Sequence, residues 1–219
     1  MSFKNFLFVV TIFFHALSVA SANSGVDLAP LEACLIQRNQ YSSIITTVKQ
    51  EKVLPSLSKP LVTKGKLWLV PQYGFRWEQG KPVKDIALFD SNRVYLLNED
   101  SKTAERYKPG SRAVRPLMLL MGMGKDASYE GILDNFKPTY SEIKGSVYTV
   151  SLQPDSGIMK RALSQLTLSI DLKTCFPKKI IWLQKDGAII TTHFGRPRFN
   201  TGIDTQMFQF NEGAYAIKD

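Results

Sequence analysis

Residues 61–78, LVTKGKLWLVPQYGFRWE, carry the strongest indication of the fold, because they contain two candidate strands only a few residues apart. These strands cover residues 61–70 and 74–78. Residues 67–70 are all apolar, so both faces of the first strand are apolar, and residues 94–97 and 180–183 repeat this pattern. Two explanations are open: a sheet covered on both sides, or a curled sheet that encloses an apolar cavity.

Period-two patterns continue on both sides of this stretch and predict about a dozen strands in all. The further strands cover residues 41–53, 83–89, 93–97, 103–107, 147–152, 165–172, 179–184, 188–194 and 206–210. Helical spacing appears at residues 30–40, 111–122 and 126–136, with Ser111 and Asp126 as N-caps of the last two. No repeat or linker divides the chain. The sequence therefore predicts an α+β fold on a large antiparallel sheet.

The N-terminus has the order of features that is typical of a secretory signal. Lys4 precedes an apolar run over residues 6–14, and small residues end at Ala22. A membrane anchor is the first alternative, but the run is shorter than the roughly 20 residues that a spanning helix needs. Lipid attachment at Cys34 is the second. We expect residues 1–22 to be a cleaved signal peptide, which places the protein outside the cytoplasm.

The remaining residues, 23–219, have the size of one domain. The full chain has 28 Lys and Arg against 19 Asp and Glu, a formal net charge of +9, and the basic residues are scattered along it. Such an excess suits an anionic membrane surface or an acidic partner, and it requires no nucleic acid.

Cys34 and Cys175 are the two cysteines of the chain. An oxidising compartment permits a disulfide between them, and pairing would close a loop of about 140 residues, worth roughly 4 to 5 kcal/mol. Two buried free thiols are the alternative, because sequence gives no distance between them.

The sequence contains none of the common catalytic or metal-binding motifs, such as H-E-x-x-H, C-x-x-C or G-x-S-x-G. His193 is the only histidine once the signal is removed, and a surface or hydrogen-bonded role is expected for it. We therefore expect no catalytic residues, no metal, no cofactor and no enzymatic activity.

Residues 116–124, PLMLLMGMG, form the most unusual apolar segment, with three methionines within six residues. A helix that is apolar on all sides is either an ordinary core helix or one that faces a ligand. Methionine is common on surfaces that accept variable apolar partners, and Gly122 and Gly124 would allow the segment to move.

The order of motifs resembles the periplasmic outer-membrane lipoprotein carriers of the LolA type. The similarity covers most of the mature chain and is most specific at residues 65–77. The motifs that carry it are residues 48–52, 65–71, 74–78, 81–82, 92–97, 166–172, 185–187, 189–194 and 203–210.

The resemblance implies a large curved antiparallel sheet that forms an incomplete β-barrel, or half-barrel, with helices covering an apolar cavity. The cavity would hold the acyl chains of a lipoprotein, or another lipid, in transit from the inner to the outer membrane. An inner-membrane release complex and an outer-membrane receptor would be its partners, and the carrier would be a monomer.

The expected ligand-binding residues lie on strands near the cavity and on the methionine-rich lid. Pleat register decides which of the strand residues face inward. The expected set is Trp68, Phe75, Trp77, Leu96, Leu117, Met118, Leu120, Met121 and Trp182.

One departure from the family pattern concerns lid control. The family places an arginine just before the proline that follows the tryptophan-containing strand, whereas this chain has Val70 and Pro71. Arg76 is the nearest candidate for the same role. This departure indicates a divergent member and leaves two alternatives to a lipoprotein carrier: a lipid-binding sensor or accessory factor of an envelope glycolipid or polyene pathway, and an envelope hydrolase.

Overall fold

The structure, a computed structural model, describes residues 25–124 and 127–218, without the side chains of Leu120, Ile158 and Ala162. The expected signal peptide and the expected N-cap Asp126 lie outside the described residues.

Four α-helices and thirteen strands make up the described part of the chain. The helices are α1 (Ala29–Arg38), α2 (Arg115–Met121), α3 (Tyr129–Asn135) and α4 (Gly157–Ala162). The strands are β1 (Ile44–Val53), β2 (Leu61–Val70), β3 (Gly74–Gln79), β4 (Asp85–Phe89), β5 (Val94–Asn98), β6 (Thr103–Tyr107), β7 (Phe136–Lys144), β8 (Val147–Pro154), β9 (Leu163–Asp171), β10 (Phe176–Gln184), β11 (Ile189–Phe194), β12 (Arg198–Phe199) and β13 (Ala216–Lys218).

All of these strands belong to one sheet, in the order β13-β6-β5-β4-β3-β2-β1-β11-β10-β9-β8-β7, with β12 paired to β1. The pairs are antiparallel except for β13 and β6. The sheet curves but stays open, because β13 and β7 at its two ends do not pair with each other. The structure therefore confirms the α+β half-barrel that the sequence predicted.

Several local expectations are corrected. Residues 206–208, the start of the strand expected over 206–210, lie instead in a 3₁₀ helix over Thr205–Phe208, because the Asp204 carboxylate accepts the backbone N–H of Gln206 at 2.9 Å. The helix expected from residue 111 begins at Arg115 instead, with Pro116 in its first turn, a position that suits proline. The strand β7 was not expected.

The inner face of the sheet is the side that α1, α2 and α3 cover, and it holds two apolar clusters. One lies under α1 and α3 and contains Leu31, Ile132, Val150, Leu152, Leu166, Ile180 and Trp182. The other lies under α2 and contains Ile44, Val48, Leu67, Leu69, Phe75, Trp77, Val94, Met118 and Met121.

The outer face carries a third apolar cluster, which the C-terminal segment covers. Phe208 is fully buried there, and its partners include Ile86, Leu88, Tyr95 and Leu97 from β4 and β5. Strands β2 and β5 are therefore covered on both sides. For β2 and β5 both explanations of the two-faced apolar pattern hold at once, because the sheet is curled around an interior and the C-terminal segment covers its outer face there.

Cys34 and Cys175 are joined in a disulfide, with their Cα atoms 4.6 Å apart. The bond attaches α1 to the turn between β9 and β10. Tyr41, just after α1, reinforces the attachment, because its hydroxyl donates to the Thr174 carbonyl at 2.9 Å. The position of α1 over the inner face is thus fixed covalently.

Replacing both cysteines, Cys34→Ala with Cys175→Ala, should lower the free energy of unfolding by about 4 to 5 kcal/mol, because the unfolded chain regains the freedom of a long loop. Urea unfolding of the oxidised wild type and the double variant measures the difference. Wild-type protein in a reducing buffer is the control and should match the variant. Equal stability of all three samples would contradict the prediction.

Candidate functional site

The floor of the site is the inner face of β1 to β5, β10 and β11. Register places inward-facing residues opposite one another along the sheet: Leu67 pairs with Trp77, Trp77 with Ala87, and Ala87 with Leu96. Because side chains alternate along a strand, these residues share one face, which is mainly apolar.

Helix α2 lies across this floor. Met118 and Met121, together with Met123 just beyond the helix, are at most 5% exposed. The helix ends at Gly122, whose φ of 68° is left-handed, and the Met123 N–H donates to the Met118 carbonyl at 2.8 Å. This is a common glycine-dependent helix end. The methionines therefore fill space that the sheet leaves empty.

On one side of α2 lies a small apolar cavity of about 60 Å³. Leu119 of α2 lines it, together with Leu168 of β9 and Trp182 of β10. Other lining residues come from α1, α3 and strands β7 to β10, and include Leu31, Leu35, Ile132, Phe136, Leu152, Leu166, Ile170 and Ile180.

On the other side of α2 lies an open groove of about 540 Å³. Its apolar part includes Trp77, Leu96, Leu117 and Ile190. Polar residues line the rest, and they include Gln50, Lys52, Gln79, Asp85, Asn98, Thr103 and Glu105.

Helix α2 is the divider between these two spaces. Leu119 lines the small cavity and Leu117 lines the open groove. Beneath the helix the floor is continuous, because Trp182 of the cavity is the register partner of Ile190 of the groove. Removal of α2 from the floor would join the two spaces into one trough.

Most of the expected binding residues are brought together on this inner side. Phe75, Met118 and Met121 form the packing between α2 and the sheet. Trp77, Leu96 and Leu117 line the groove, and Trp182 lines the cavity. The side chain of Leu120 lies outside the described residues.

Trp68 and Arg76 are placed on the outer face instead, where they are register partners. The Trp68 ring packs against the outer cluster, and Lys66 Nζ lies 4.4 Å from its centre. Arg76 Nε donates to Glu78 Oε1 at 2.7 Å, and its Nη1 donates to the Met207 carbonyl. Arg76 thus binds the C-terminal segment. The physical reason is the pleat, which points Trp68 and Trp77 to opposite faces.

Arg38, which the sequence did not single out, contacts the end of α2. Its Nη2 donates to the Gly122 carbonyl at 3.5 Å, and a Cβ atom at position 122 would overlap the guanidinium. Burial lowers the pKa of Arg38 to about 10, which leaves the group charged at neutral pH. A positive charge at the C-terminal end of a helix is favourable. Arg38 therefore holds α2 from α1, which the disulfide fixes in turn.

Two further polar groups lie in the wall of the groove. Gln50 Nε2 donates to Thr192 Oγ1 at 3.3 Å, and both residues are buried. Trp77 is 5% exposed, and its indole Nε1 has no hydrogen-bond partner among the described residues. The sequence signal for Trp77 was its aromatic character, which gave no indication of this free donor.

Residues 25–124 and 127–218 contain neither a cluster of side chains suited to a metal ion nor a helix suited to cross a membrane. No group of three or more His, Cys, Asp or Glu residues could hold a metal ion there. No helix among those residues is long and apolar enough to cross a membrane.

These features define a half-barrel with a helix-covered apolar interior. Residues 39–211, more than half of the chain, match the family described as outer membrane lipoprotein carrier protein LolA. The chain belongs to that family. A comparison with curated proteins finds no match.

Solved structures share the fold at low sequence identity. An uncharacterised conserved protein from Thermus thermophilus has a TM-score of 0.54 and 9% identity over 88% of this chain and 99% of that chain. A chain of the MucA/MucB complex from Pseudomonas aeruginosa has a TM-score of 0.50 and 10% identity, over 87% of this chain and 62% of that chain. A LolA superfamily protein from Nitrosomonas europaea has a TM-score of 0.43 and 8% identity, over 81% of this chain and 96% of that chain.

Replacing Arg38 with methionine should loosen α2, because the Gly122 carbonyl loses a charged donor. Amide hydrogen exchange over residues 115–123 should accelerate about tenfold, as expected for the loss of one hydrogen bond to a charged group. The exposed Arg196→Met variant is the control. Unchanged exchange in Arg38→Met would show that Arg38 does not hold the helix.

Proposed function

We propose that this protein is a periplasmic carrier that binds the acyl chains of lipoproteins, or a related lipid, and moves them from the inner to the outer membrane. No bond is made or broken in this function. Cargo would be received from an inner-membrane release complex and delivered to an outer-membrane receptor. Membership of the lipoprotein carrier family and the apolar trough support the proposal.

The observation that carries it is the position of α2 between a small apolar cavity and a groove that is apolar in part. Sites for drug-sized ligands have volumes of roughly 300–1,000 Å³. The small cavity, at about 60 Å³, is far below this range. An acyl chain can therefore enter this cavity only if its walls move, and movement of α2 would create a trough that runs from Trp182 to Trp77.

The energetics favour an exchange of one apolar filling for another. Each buried methylene contributes about 0.8 kcal/mol, so an acyl chain offers a large driving force. Binding must displace Met118, Met121 and Met123, which also lose burial. The difference between the two terms sets the affinity, and a small difference allows the cargo to leave again. Methionine suits this role because it is flexible and fits partners of varied shape.

The polar part of the groove would hold the end of the cargo that carries the ester or amide groups of its acyl chains. The Trp77 Nε1–H is a donor without a partner in the described structure, and Gln50 lies in the same wall. An ester or amide carbonyl of the cargo would satisfy the indole donor, since a buried donor without a partner costs about 1–3 kcal/mol.

A fluorescent fatty acid, displaced by palmitate, tests the proposal in solution. The wild type should bind the probe, and Leu168→Asp should bind it at least about tenfold more weakly, because a carboxylate in the cavity is costly to desolvate. Leu168→Trp, which fills the cavity without adding charge, should also weaken binding.

Ile181→Asp is the matched control for these variants. Ile181 is likewise half-buried but lies on the outer face of the neighbouring strand, so probe binding should be unchanged. A wild type that binds no acyl probe, and that carries no lipid when purified from its native envelope, would overturn the proposal.

A lipid-binding sensor or accessory factor is the second candidate, and the departure at Val70 and Pro71 favours it. The half-barrel and trough are the same in both functions. Deletion of the gene separates them, because loss of a general carrier should leave lipoproteins stranded in the inner membrane. A hydrolase has less support, since His193 lies on the outer face beside Lys49 and Lys179.

A further inference from the structure

An exposed apolar surface lies at the tip of the β1–β2 hairpin and the neighbouring start of β11. We call it the hairpin patch. Its members are 37% to 51% exposed, and they are Val53, Leu57, Leu61, Val62 and Ile189. Contiguous apolar surfaces of this kind mark interaction sites more often than scattered single residues do.

The hairpin patch wraps around the tip of the hairpin and involves three strands. Val53 of β1 is the register partner of Ile189 of β11, and Val62 of β2, the partner of Glu51, lies on the same outer face. Leu61, the partner of Lys52, lies on the inner face of the same tip. The two turns also touch, because a Cβ atom at Gly187 would lie 3.4 Å from Pro55 Cγ.

Basic residues surround the hairpin patch. Residues 52–64 contain Lys52, Lys59 and Lys64 but no acidic residue, and within the described part of the chain none of the three forms an ion pair. Of the nearby acids, Glu51 pairs with Lys49 at 2.6 Å. Asp186 accepts the Ala188 N–H at 2.9 Å and keeps its negative charge, which the adjacent Lys185 balances in the same turn.

A second band of positive charge crosses the outer face behind the patch. Lys179 pairs in register with His193, His193 with Lys49, and Lys49 with Lys64, so lysines of three strands lie in one row, and Glu51 offsets the charge of Lys49. Like charges in facing positions are unfavourable for a sheet. The row lies about 13 Å behind the Val53–Ile189 pair, at about 3.3 Å per residue.

We propose that the hairpin patch docks the protein on an anionic lipid bilayer. The apolar residues enter the interface between headgroups and acyl chains, while Lys52 and Lys59 contact lipid phosphates. Apolar residues flanked by lysine are the general chemistry of interfacial membrane binding. The positive band behind the patch adds longer-range attraction to an anionic surface.

The position of the hairpin patch suggests a role for membrane docking in cargo transfer. This role rests on the proposed function. Lys52 and Ile190 line the open groove, and they are the sequence neighbours of Val53 and Ile189. The mouth of the groove and the hairpin patch therefore lie at the same end of the half-barrel. A docked protein would bring the groove to the membrane surface, where an acyl chain has only a short distance to travel.

Co-sedimentation with vesicles tests the proposal. The wild type should bind vesicles made of equal parts phosphatidylcholine and phosphatidylglycerol, bind pure phosphatidylcholine far less, and lose binding as salt rises. Leu57→Asp and Val62→Asp should each bind at least about tenfold more weakly. Lys59→Gln should bind about fivefold more weakly, as expected for one lysine near an anionic surface.

Ile143→Asp is the matched control, because Ile143 is as exposed as Val62 but lies on β7 at the far edge of the sheet. It should bind vesicles like the wild type. An equal loss of vesicle binding in Ile143→Asp would overturn the assignment of the hairpin patch. Wild-type protein that does not bind anionic vesicles would overturn it as well. Failure to bind vesicles together with retention on polyglutamate would assign the surface to an acidic protein instead.

Probe binding in solution keeps the two proposals separate. Leu57 and Val62 do not line the trough, so their variants should bind the fluorescent fatty acid normally. Normal probe binding without vesicle binding would overturn the docking proposal alone. Vesicle binding without probe binding would overturn the carrier proposal and leave the docking surface in place.

Discussion

The apolar inner face of the open sheet must be kept from water, and the remaining structure depends on how this is done. A closed barrel would fill its interior with its own strand side chains. Here α2 supplies the filling from outside the sheet, with three methionines at most 5% exposed. The restraint on α2 comes from Arg38 of α1, and α1 is fixed by the disulfide to Cys175. The disulfide thus positions α1, and the charged contact from Arg38 in turn positions α2.

Much of the fold could be predicted from the sequence because period-two patterning is a local signal. The strands at residues 61–70 and 103–107 agree with the structure residue for residue. Strand β7 was missed because Pro138 and its polar neighbours give no clear alternation, and a bulge after Pro138 shifts the pairing. The C-terminal segment was misread because its apolar residues cover another sheet face rather than extend a strand.

The candidate site was predictable in kind but less so in detail. Trp77 and Trp182 were expected at the interior and lie there, whereas Trp68 lies on the outer face, because its register is set by the pairing of β2 with both neighbours. Arg38 could not have been found from local sequence. Its contact with Gly122 joins residues 84 positions apart and depends on where the disulfide holds α1.

An open sheet also has two ends where another strand could pair, and a protein that must stay open cannot remove them by closing. The two ends are protected in different ways. At one end, β13 is only three residues long and lies parallel to β6. At the other, β7 carries a bulge, Pro138 and exposed lysines at positions 137 and 144. These are the features by which sheet proteins resist strand-to-strand polymerisation. Resistance to aggregation through the sheet is therefore a property of the two edge strands, independent of the binding trough between them.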